Sequence, residues 1–125
     1  MAANRYLSVG PVALSSTTTT NIFNPFITTL TGGTGYTQTQ PYAIIRHIRI
    51  VNKHASIAAT ATLYKGLTGA NTAGTEFVFF NAPVQLQSFI EAFGLWRFES
   101  TDFLVGGSNT ATALTIEMEG EIGLT

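Results

Sequence analysis

The sequence predicts an all-β protein, an antiparallel β-sandwich of jelly-roll type with an extended N-terminal arm. Three observations lead to this fold class. Segments of alternating apolar and polar residues recur at a spacing of about 8 to 12 residues. Connections rich in Gly, Thr, Ser and Asn separate those segments. The helical pattern of apolar residues at i, i+3, i+4 and i+7 persists nowhere beyond a turn or two. We expect the 125 residues to form one domain, since that length is enough to bury a core.

The N-terminal third, residues 1–41, is interpreted as an arm and a Gly/Thr-rich loop packed on the same domain. The segment "RYLSVGPVAL" predicts a short strand that Pro11 interrupts. This suits the edge of a sheet, because proline cannot donate a hydrogen bond to a neighbouring strand. The segment "SSTTTTNIFNPF" is β-branched and predicts extended chain. Residues 28–41 contain Gly, Thr and Gln without periodicity and predict a long loop.

The strands of the sandwich core are predicted within residues 42–125. The segments with strand patterns are "AIIRHIRIVN", "SIAATATLYK", "TEFVFFNAPVQL", "FGLWRFES" and "LTIEMEGEIGL". In the third of these, one strand runs through Phe80 and a short one surrounds Val84 and Leu86. The only candidate helix is "VQLQSFIEAF", and "STDFLVGGSNTA" is interpreted as a loop before the final strand.

The final strand carries a stripe of acidic residues. Strict alternation in "LTIEMEGEIGL" places Glu117, Glu119 and Glu121 on one face, where neighbouring carboxylates repel one another. Two interpretations stay open. The stripe is either a solvated outer face, or it is answered by basic residues on the next strand or on another molecule.

Two arginines in "AIIRHIRIVN" bear on that choice. In a regular strand Arg46 and Arg49 lie on opposite faces, so both cannot pair with glutamates on one face of a neighbouring strand. We therefore expect one arginine to be buried with a polar partner or to point toward another molecule. The candidates for charge matching across the contacts of an assembly are Arg46, Arg49, Glu117, Glu119 and Glu121.

The composition favours a protein that other chains partly cover. Only 10% of the residues are charged, against about 25% in a usual soluble domain, while 45% are hydrophobic. A surface with so little charge points to contacts with further protein chains. The net charge of -1 and the pI near 6.0 argue against nucleic acid as a partner, because no basic field is available to hold phosphates.

The inventory of reactive residues predicts no enzyme, no cofactor and no metal site. The absence of cysteine excludes disulfides, thiolate ligands and a cysteine nucleophile. His47, His54 and Asp102 come without the local signature of a catalytic triad, and we expect His47 to be a partly buried strand residue that shares hydrogen bonds with its neighbours. The segment "TGGTGYTQ" is not followed by a helix that would hold a phosphate. The aromatic residues at strand spacing are expected mainly in the core rather than on a sugar-stacking platform: Phe79, Phe80, Phe93, Trp96 and Phe98.

The N-terminus has no apolar core of a signal peptide, and no run approaches the ~18 apolar residues of a membrane span. We therefore expect a protein that is made in a cytoplasm and has no membrane partner.

Two long stretches resemble small structural proteins encoded in tailed-bacteriophage genomes. They are "YAIIRHIRIVNKHASIAATATLYKGLTGANTAGTEF" and "DFLVGGSNTATALTIEMEGEIGL", which together fall within residues 42–124. The resemblance implies a virion component similar to capsid decoration or cement proteins. Such proteins form homo-oligomers, with a trimer favoured here, and sit on the major capsid protein at the capsid surface. The resemblance makes residues 5–26 a candidate for strand addition to a neighbouring subunit, with Ile22, Phe23 and Phe26 filling pockets.

Alternative functions stay open. A tail, head–tail connector or fibre component would use the same kind of fold. A carbohydrate-binding module would need an exposed aromatic shelf, for which Trp96 is the first residue to test.

Overall fold

The computed structural model of the chain describes residues 5–24, 41–66 and 74–124. These residues form eight strands: β1 (Arg5–Ala13), β2 (Asn21–Phe23), β3 (Pro41–Asn52), β4 (Ala59–Gly66), β5 (Ala82–Val84), β6 (Ser88–Phe98), β7 (Phe103–Ser108) and β8 (Leu114–Leu124). One sheet has the order β1-β8-β3-β6 and the other β2-β7-β4-β5, and all pairings are antiparallel. The pairing is nested, because β1 pairs with β8, β2 with β7, β3 with β6 and β4 with β5.

The core lies between the two sheets, which confirms the predicted antiparallel β-sandwich. Both sheets contribute buried apolar side chains, for example Ile48 and Ile116 from the first and Leu63 and Leu104 from the second. Burying one such side chain is worth about 1.5–3 kcal/mol. The buried polar side chain of Asn52 is satisfied within the core, since its Nδ2 donates to the carbonyls of Ile57 and Val84 at 2.8 and 3.0 Å.

The described part of the predicted arm, residues 5–24, is an integral part of the sandwich, which corrects the expectation of an extension from it. The strand β1 pairs with β8 from Arg5 opposite Ile122 to Ala13 opposite Thr115. Its register shifts between Val9 and Val12, so Pro11 lies in a bulge of an edge strand, as the sequence predicted.

The apolar residues of this segment explain why it does not project. Leu7, Leu14 and Phe23 are buried in the core, and Ile22 packs against it. Phe23 meets the ring of Phe98 edge to face at 5.7 Å. The expectation that Phe23 fills a pocket of a neighbouring subunit is therefore wrong, because its own core already holds it. Phe26 and the predicted loop up to residue 40 lie outside the described residues.

Two further predictions are corrected in the C-terminal half. The candidate helix over residues 84–93 is the end of β5, a turn and the first half of β6. The predicted loop over residues 100–111 contains β7, a central strand. Its two glycines suggested a loop, but here they allow the main chain of neighbouring segments to pack closely against β7. A Cβ on Gly106 would overlap the carbonyl oxygen of Thr62, and one on Gly107 would lie 2.6 Å from that of Ser15.

The strand predicted through Phe80 is only partly formed. Residues 75–79 run beside β4, with Leu63 exchanging main-chain hydrogen bonds with Phe77 and Phe79, each at 2.8 Å. Val78 and Asn81 have positive φ angles of 61° and 47°, which interrupts regular pairing before β5 begins.

A bulge in β3 decides which side chains reach the outer face of the first sheet. Opposite β8, Ile45 faces Gly120 and His47 faces Glu119, so Arg46 is an extra residue. Ala43, Ile45, Ile48 and Ile50 consequently all point into the core. The extra residue shifts the alternation, which places Arg46 and Arg49 on the same outer face. This corrects the prediction that they lie on opposite faces.

Candidate functional site

The outer face of the first sheet carries a ladder of ion pairs between β8 and β3. Arg46 Nη2 lies 3.2 Å from Glu121 Oε1, and Arg49 Nη1 lies 3.6 Å from Glu117 Oε1. Both pairs join neighbouring strands of the same chain. Two glutamates of the acidic stripe are thus paired with arginines on the next strand, β3, which was one of the two open interpretations. Exposed pairs of this kind contribute little stability each, about 0–1 kcal/mol.

His47 lies at the centre of this face and links three strands. Its Nε2 lies 2.8 Å from Glu91 Oε2 on β6, and its Nδ1 lies 3.5 Å from Glu119 Oε1 on β8. The ring stacks on Phe93 with a centroid distance of 4.5 Å and an interplanar angle of 12°. Only 13% of the side chain is exposed. The prediction of a partly buried histidine that shares hydrogen bonds with its neighbours is therefore confirmed.

Tyr6 extends the network onto β1. Its hydroxyl donates to Glu119 Oε2 at 2.8 Å. The hydrogen bond to the carboxylate raises the pKa of Tyr6 above its usual value, because ionising the phenol would break the bond and place two negative charges side by side. Tyr6, Glu119, His47 and Phe93 thus form a continuous row across all four strands of the sheet.

Arg49 lies beside this row in a shallow depression. Its Nε is 3.5 Å from Glu91 Oε2, and its guanidinium carbon lies 5.3 Å from the centroid of the Phe89 ring. Within residues 5–24, 41–66 and 74–124, Arg49 Nε is the one buried side-chain nitrogen or oxygen without a hydrogen-bond partner. The depression has a volume of about 290 Å³ and is lined by Tyr6, Ser8, His47, Arg49, Glu117, Met118 and Glu119.

The far end of β6 carries a second charged cluster. Arg97 Nε donates to Glu99 Oε1 at 2.5 Å, and its guanidinium carbon lies 4.2 Å from the centroid of the Tyr42 ring. This hydrogen bond lowers the pKa of Glu99 and raises the pKa of Arg97. Lys65 Nζ donates to the main-chain carbonyl of Arg97 at 2.6 Å.

The outer side of β6 is the most apolar part of this face. Phe89, Phe93 and Leu95 are 51%, 72% and 70% exposed. We refer to β6 with these three side chains as the β6 edge, because β6 ends the strand order of its sheet. Sequence reasoning identified only the second half of this strand, within "FGLWRFES", and did not separate its two faces, since "SFIEAFGLWRF" is largely apolar at both odd and even positions.

The remaining aromatic residues divide between core and surface. Phe98 is buried, while Phe79 and Trp96 pack against the core from its rim. Phe80 is exposed beside the other sheet. Trp96 meets Phe77 edge to face at 5.9 Å on the inner side of β6, away from the exposed side chains of the β6 edge.

His54 and Asp102 are both engaged in local hydrogen bonds. His54 Nδ1 accepts a hydrogen bond from the main-chain nitrogen of Ser56 at 3.2 Å, and Asp102 Oδ2 accepts one from that of Glu99 at 2.8 Å. Within the described part of the chain, no group of three or more His, Asp or Glu side chains is placed to hold a metal ion. The described residues also include no helix that is long and apolar enough to cross a membrane.

Comparison with known proteins gives no relative: no protein-family model, curated protein or solved structure matches this chain.

Proposed function

We propose that this chain is a non-enzymatic structural protein of a tailed-bacteriophage virion, a decoration protein that oligomerises and stabilises the major capsid lattice. The observation that carries the proposal is the β6 edge, where Phe89, Phe93 and Leu95 are exposed along a strand that ends its sheet among the described strands. Exposed apolar side chains that cluster in this way are typical of protein contacts. A strand edge also offers main-chain hydrogen bonds to a partner.

The charges of the same face support binding through apolar and main-chain contacts. Arg46 and Arg49 each pair with a glutamate of β8, and Glu119 accepts a hydrogen bond from Tyr6. Neither arginine therefore needs a carboxylate of a partner to neutralise it.

The fold is also consistent with the proposal. The region that resembles phage structural proteins, residues 42–124, covers β3 to β8, six of the eight described strands and three in each sheet. The nested strand order of the sandwich is compatible with a jelly roll, a fold used by viral capsid domains. The fold alone carries no function, and the phage assignment depends on the sequence resemblance.

The proposed mechanism is binding without chemistry. Each copy that binds to assembled capsid subunits and not to free ones shifts the equilibrium toward the assembled shell. Contacts with several subunits at once multiply this effect, because the second contact forms at a high effective concentration.

The test is the number and location of copies in purified particles of the phage that encodes the chain, measured by quantitative mass spectrometry and electron microscopy. We expect a copy number comparable with that of the major capsid protein and density on the outer surface of the shell. A copy number far below this, with density at the portal or tail, would instead support the connector, tail or fibre alternative. Absence from purified particles would refute a virion role altogether.

The carbohydrate alternative receives less support. Its first candidate, Trp96, packs against the core instead of standing on an exposed shelf. The exposed ring of Phe93 is stacked on His47 on one side, which leaves one face for a sugar. Binding to a glycan array that disappears in Phe93→Ala would favour this alternative.

A further inference from the structure

We propose that the chain forms a two-fold symmetric dimer in which β6 pairs antiparallel with β6 of a second copy, in the register that places Gly94 opposite Gly94. The β1-β8-β3-β6 sheets of the two copies then join into one continuous eight-stranded sheet. The proposal concerns the chain alone and holds or fails independently of a role in a virion.

The first argument is that β6 is open to a partner. Among the described strands it pairs only with β3, from Asn52 opposite Ser88 to Ala43 opposite Phe98, with a register shift where Gly94 and Leu95 pass Arg46. It is eleven residues long and contains neither proline nor lysine, the residues that most often protect an edge. Its outer face exposes three large apolar side chains, so leaving this edge unpaired in water is unfavourable.

The second argument is charge complementarity of the strand with itself. In an antiparallel pair centred on Gly94, each residue faces the one equally far on the other side of the centre. Glu91 then faces Arg97 of the second copy, and by symmetry this pair occurs twice. Phe93 faces Leu95 of the second copy, also twice. Directly opposed charges and apolar pairs are the contacts that stabilise neighbouring strands.

Neighbouring registers lack this match. Centring the pair on Phe93 places Glu91 opposite Leu95, so no cationic residue of the second copy faces it. Centring it on Leu95 places Glu91 opposite Glu99, where two carboxylates repel. Registers that differ by an odd number of residues would place outer residues opposite inner ones. The register on Gly94 is therefore the one that the charges select.

The inner side of β6 fits the same register. Ala92 faces Trp96 of the second copy, and Gly94 faces Gly94, so the bulky indole lies opposite a small side chain. The indole already lies over Gly94 within its own chain, since a Cβ on Gly94 would be 2.7 Å from Trp96 Cζ2. A larger residue at position 94 would displace that ring and crowd the centre of the pair.

A main-chain contact marks the place that the partner strand would take. The carbonyl of Arg97 accepts a hydrogen bond from Lys65 Nζ at 2.6 Å. In the proposed register Arg97 and Glu91 of the second copy form a directly opposed pair, and such pairs can exchange both N–H···O bonds. The N–H of Glu91 would take the position of the lysine ammonium, which is a partly exposed group on a long side chain and can move to solvent.

The test uses charge reversal at the two paired positions, with sedimentation velocity as the measurement. Glu91→Arg places two arginines opposite each other, and Arg97→Glu places two glutamates there. We expect each single variant to dimerise at least about tenfold more weakly than the parent chain, because directly opposed like charges are costly. The double variant Glu91→Arg/Arg97→Glu restores opposite charges and is expected to dimerise again.

Mixing the two single variants provides the sharpest result. In the mixed pair, the arginine introduced at position 91 of one chain faces the glutamate introduced at position 97 of the other. The unchanged Arg97 and Glu91 also face each other, so the mixture should form heterodimers although neither variant dimerises alone. The double variant also controls for the internal contacts of Glu91 with His47 and Arg49 and of Arg97 with Glu99, because it lacks them too. Glu76→Arg, an equal charge change on an exposed residue beside β4, should leave dimerisation unchanged.

Several results would overturn the proposal. One is a parent chain that stays monomeric at the highest soluble concentration, and another is a dimer that is insensitive to both single variants. A third is a mixture of the single variants that fails to associate while circular dichroism shows both to be folded. Growth beyond two chains would also contradict it, because the two-fold pairing uses up the β6 edge of both copies.

Discussion

The two edges of the first sheet are built in opposite ways. At the β1 edge, Gly10 and Pro11 form a bulge that interrupts the ladder and removes an N–H donor. The β6 edge contains no proline, and its side chains alternate regularly between the two faces over eleven residues, although its register with β3 shifts opposite Arg46. Both expose an aromatic ring to the same extent, since Tyr6 and Phe93 are each 72% exposed. The difference lies in the main chain, and it indicates that one edge is closed to partners while the other is open.

The side chains at the two edges follow the same division. The Tyr6 hydroxyl is bound to Glu119, so the exposed ring of β1 is tied to its own sheet. On β6, the exposed side chains of Phe89, Phe93 and Leu95 alternate along the strand with inner residues and share its outer face with Glu91 and Arg97. A partner that approaches β6 therefore meets apolar side chains, these two charges and main chain, whereas a partner that approaches β1 meets a distorted edge.

The largest expected effect comes from breaking the bulge that closes the β1 edge. Gly10 has φ +91°, and a Cβ there would lie 2.6 Å from the carbonyl oxygen of Ile116. We expect Gly10→Ala to lower the free energy of unfolding by about 2–4 kcal/mol, through backbone strain and steric overlap together. Urea denaturation measures the change.

Gly74→Ala is the matched control for this variant. Gly74 has a similar φ of +96°, but a Cβ there meets nothing within 4 Å. Its cost is expected to be about 1–2 kcal/mol, from strain alone. Equal losses in the two variants would show that the contact with β8 does not matter.

A smaller effect is expected from placing a lysine on each edge. Phe93→Lys should weaken dimerisation by at least about tenfold, because a charge replaces the apolar contact with Leu95 of the second copy. Tyr6→Lys removes an equally exposed ring from the other edge and should leave dimerisation unchanged. Sedimentation velocity compares the two, and a loss of association in Tyr6→Lys alone would reverse the assignment of open and closed edges.

The smallest expected effect concerns the link between Tyr6 and Glu119. The pKa of Tyr6 is raised in the folded chain, so the link stabilises the fold fully below the unfolded pKa of about 10 and loses this contribution as the pH rises through the folded value. Ultraviolet titration of the phenol measures the pKa. It should fall back toward the usual value in Glu119→Gln and stay raised in Glu117→Gln. Identical titration in both variants would contradict the hydrogen bond as the cause.

The sequence predicted the fold class and the final strand well, because strict alternation in "LTIEMEGEIGL" admits one interpretation. It left open whether the glutamates of β8 face solvent or pair with basic residues. It did not reveal that Arg46 and Arg49 share a face. That outcome depends on one extra residue in β3, and a bulge leaves no mark in a segment whose two faces both carry isoleucine and basic residues.

The other errors have equally specific causes. Gly106 and Gly107 suggested a loop, since glycine is common in loops, but here it allows neighbouring main chain to approach a central strand. Residues 5–24 suggested an arm because Pro11 and the run of threonines interrupt the pattern. The segment nonetheless contributes three widely spaced side chains to the core, those of Leu7, Leu14 and Phe23. Such contacts depend on residues distant in the chain and cannot be read from local periodicity.

The position of β8 also has a consequence for biosynthesis. It is the last described strand to leave the ribosome, yet it lies between β1 and β3, so those two strands have no direct ladder until it arrives. Pairings this distant in sequence form slowly, since long segments of chain must first be brought together. Until β8 has left the ribosome, β1 therefore has no neighbour in its sheet among the described strands.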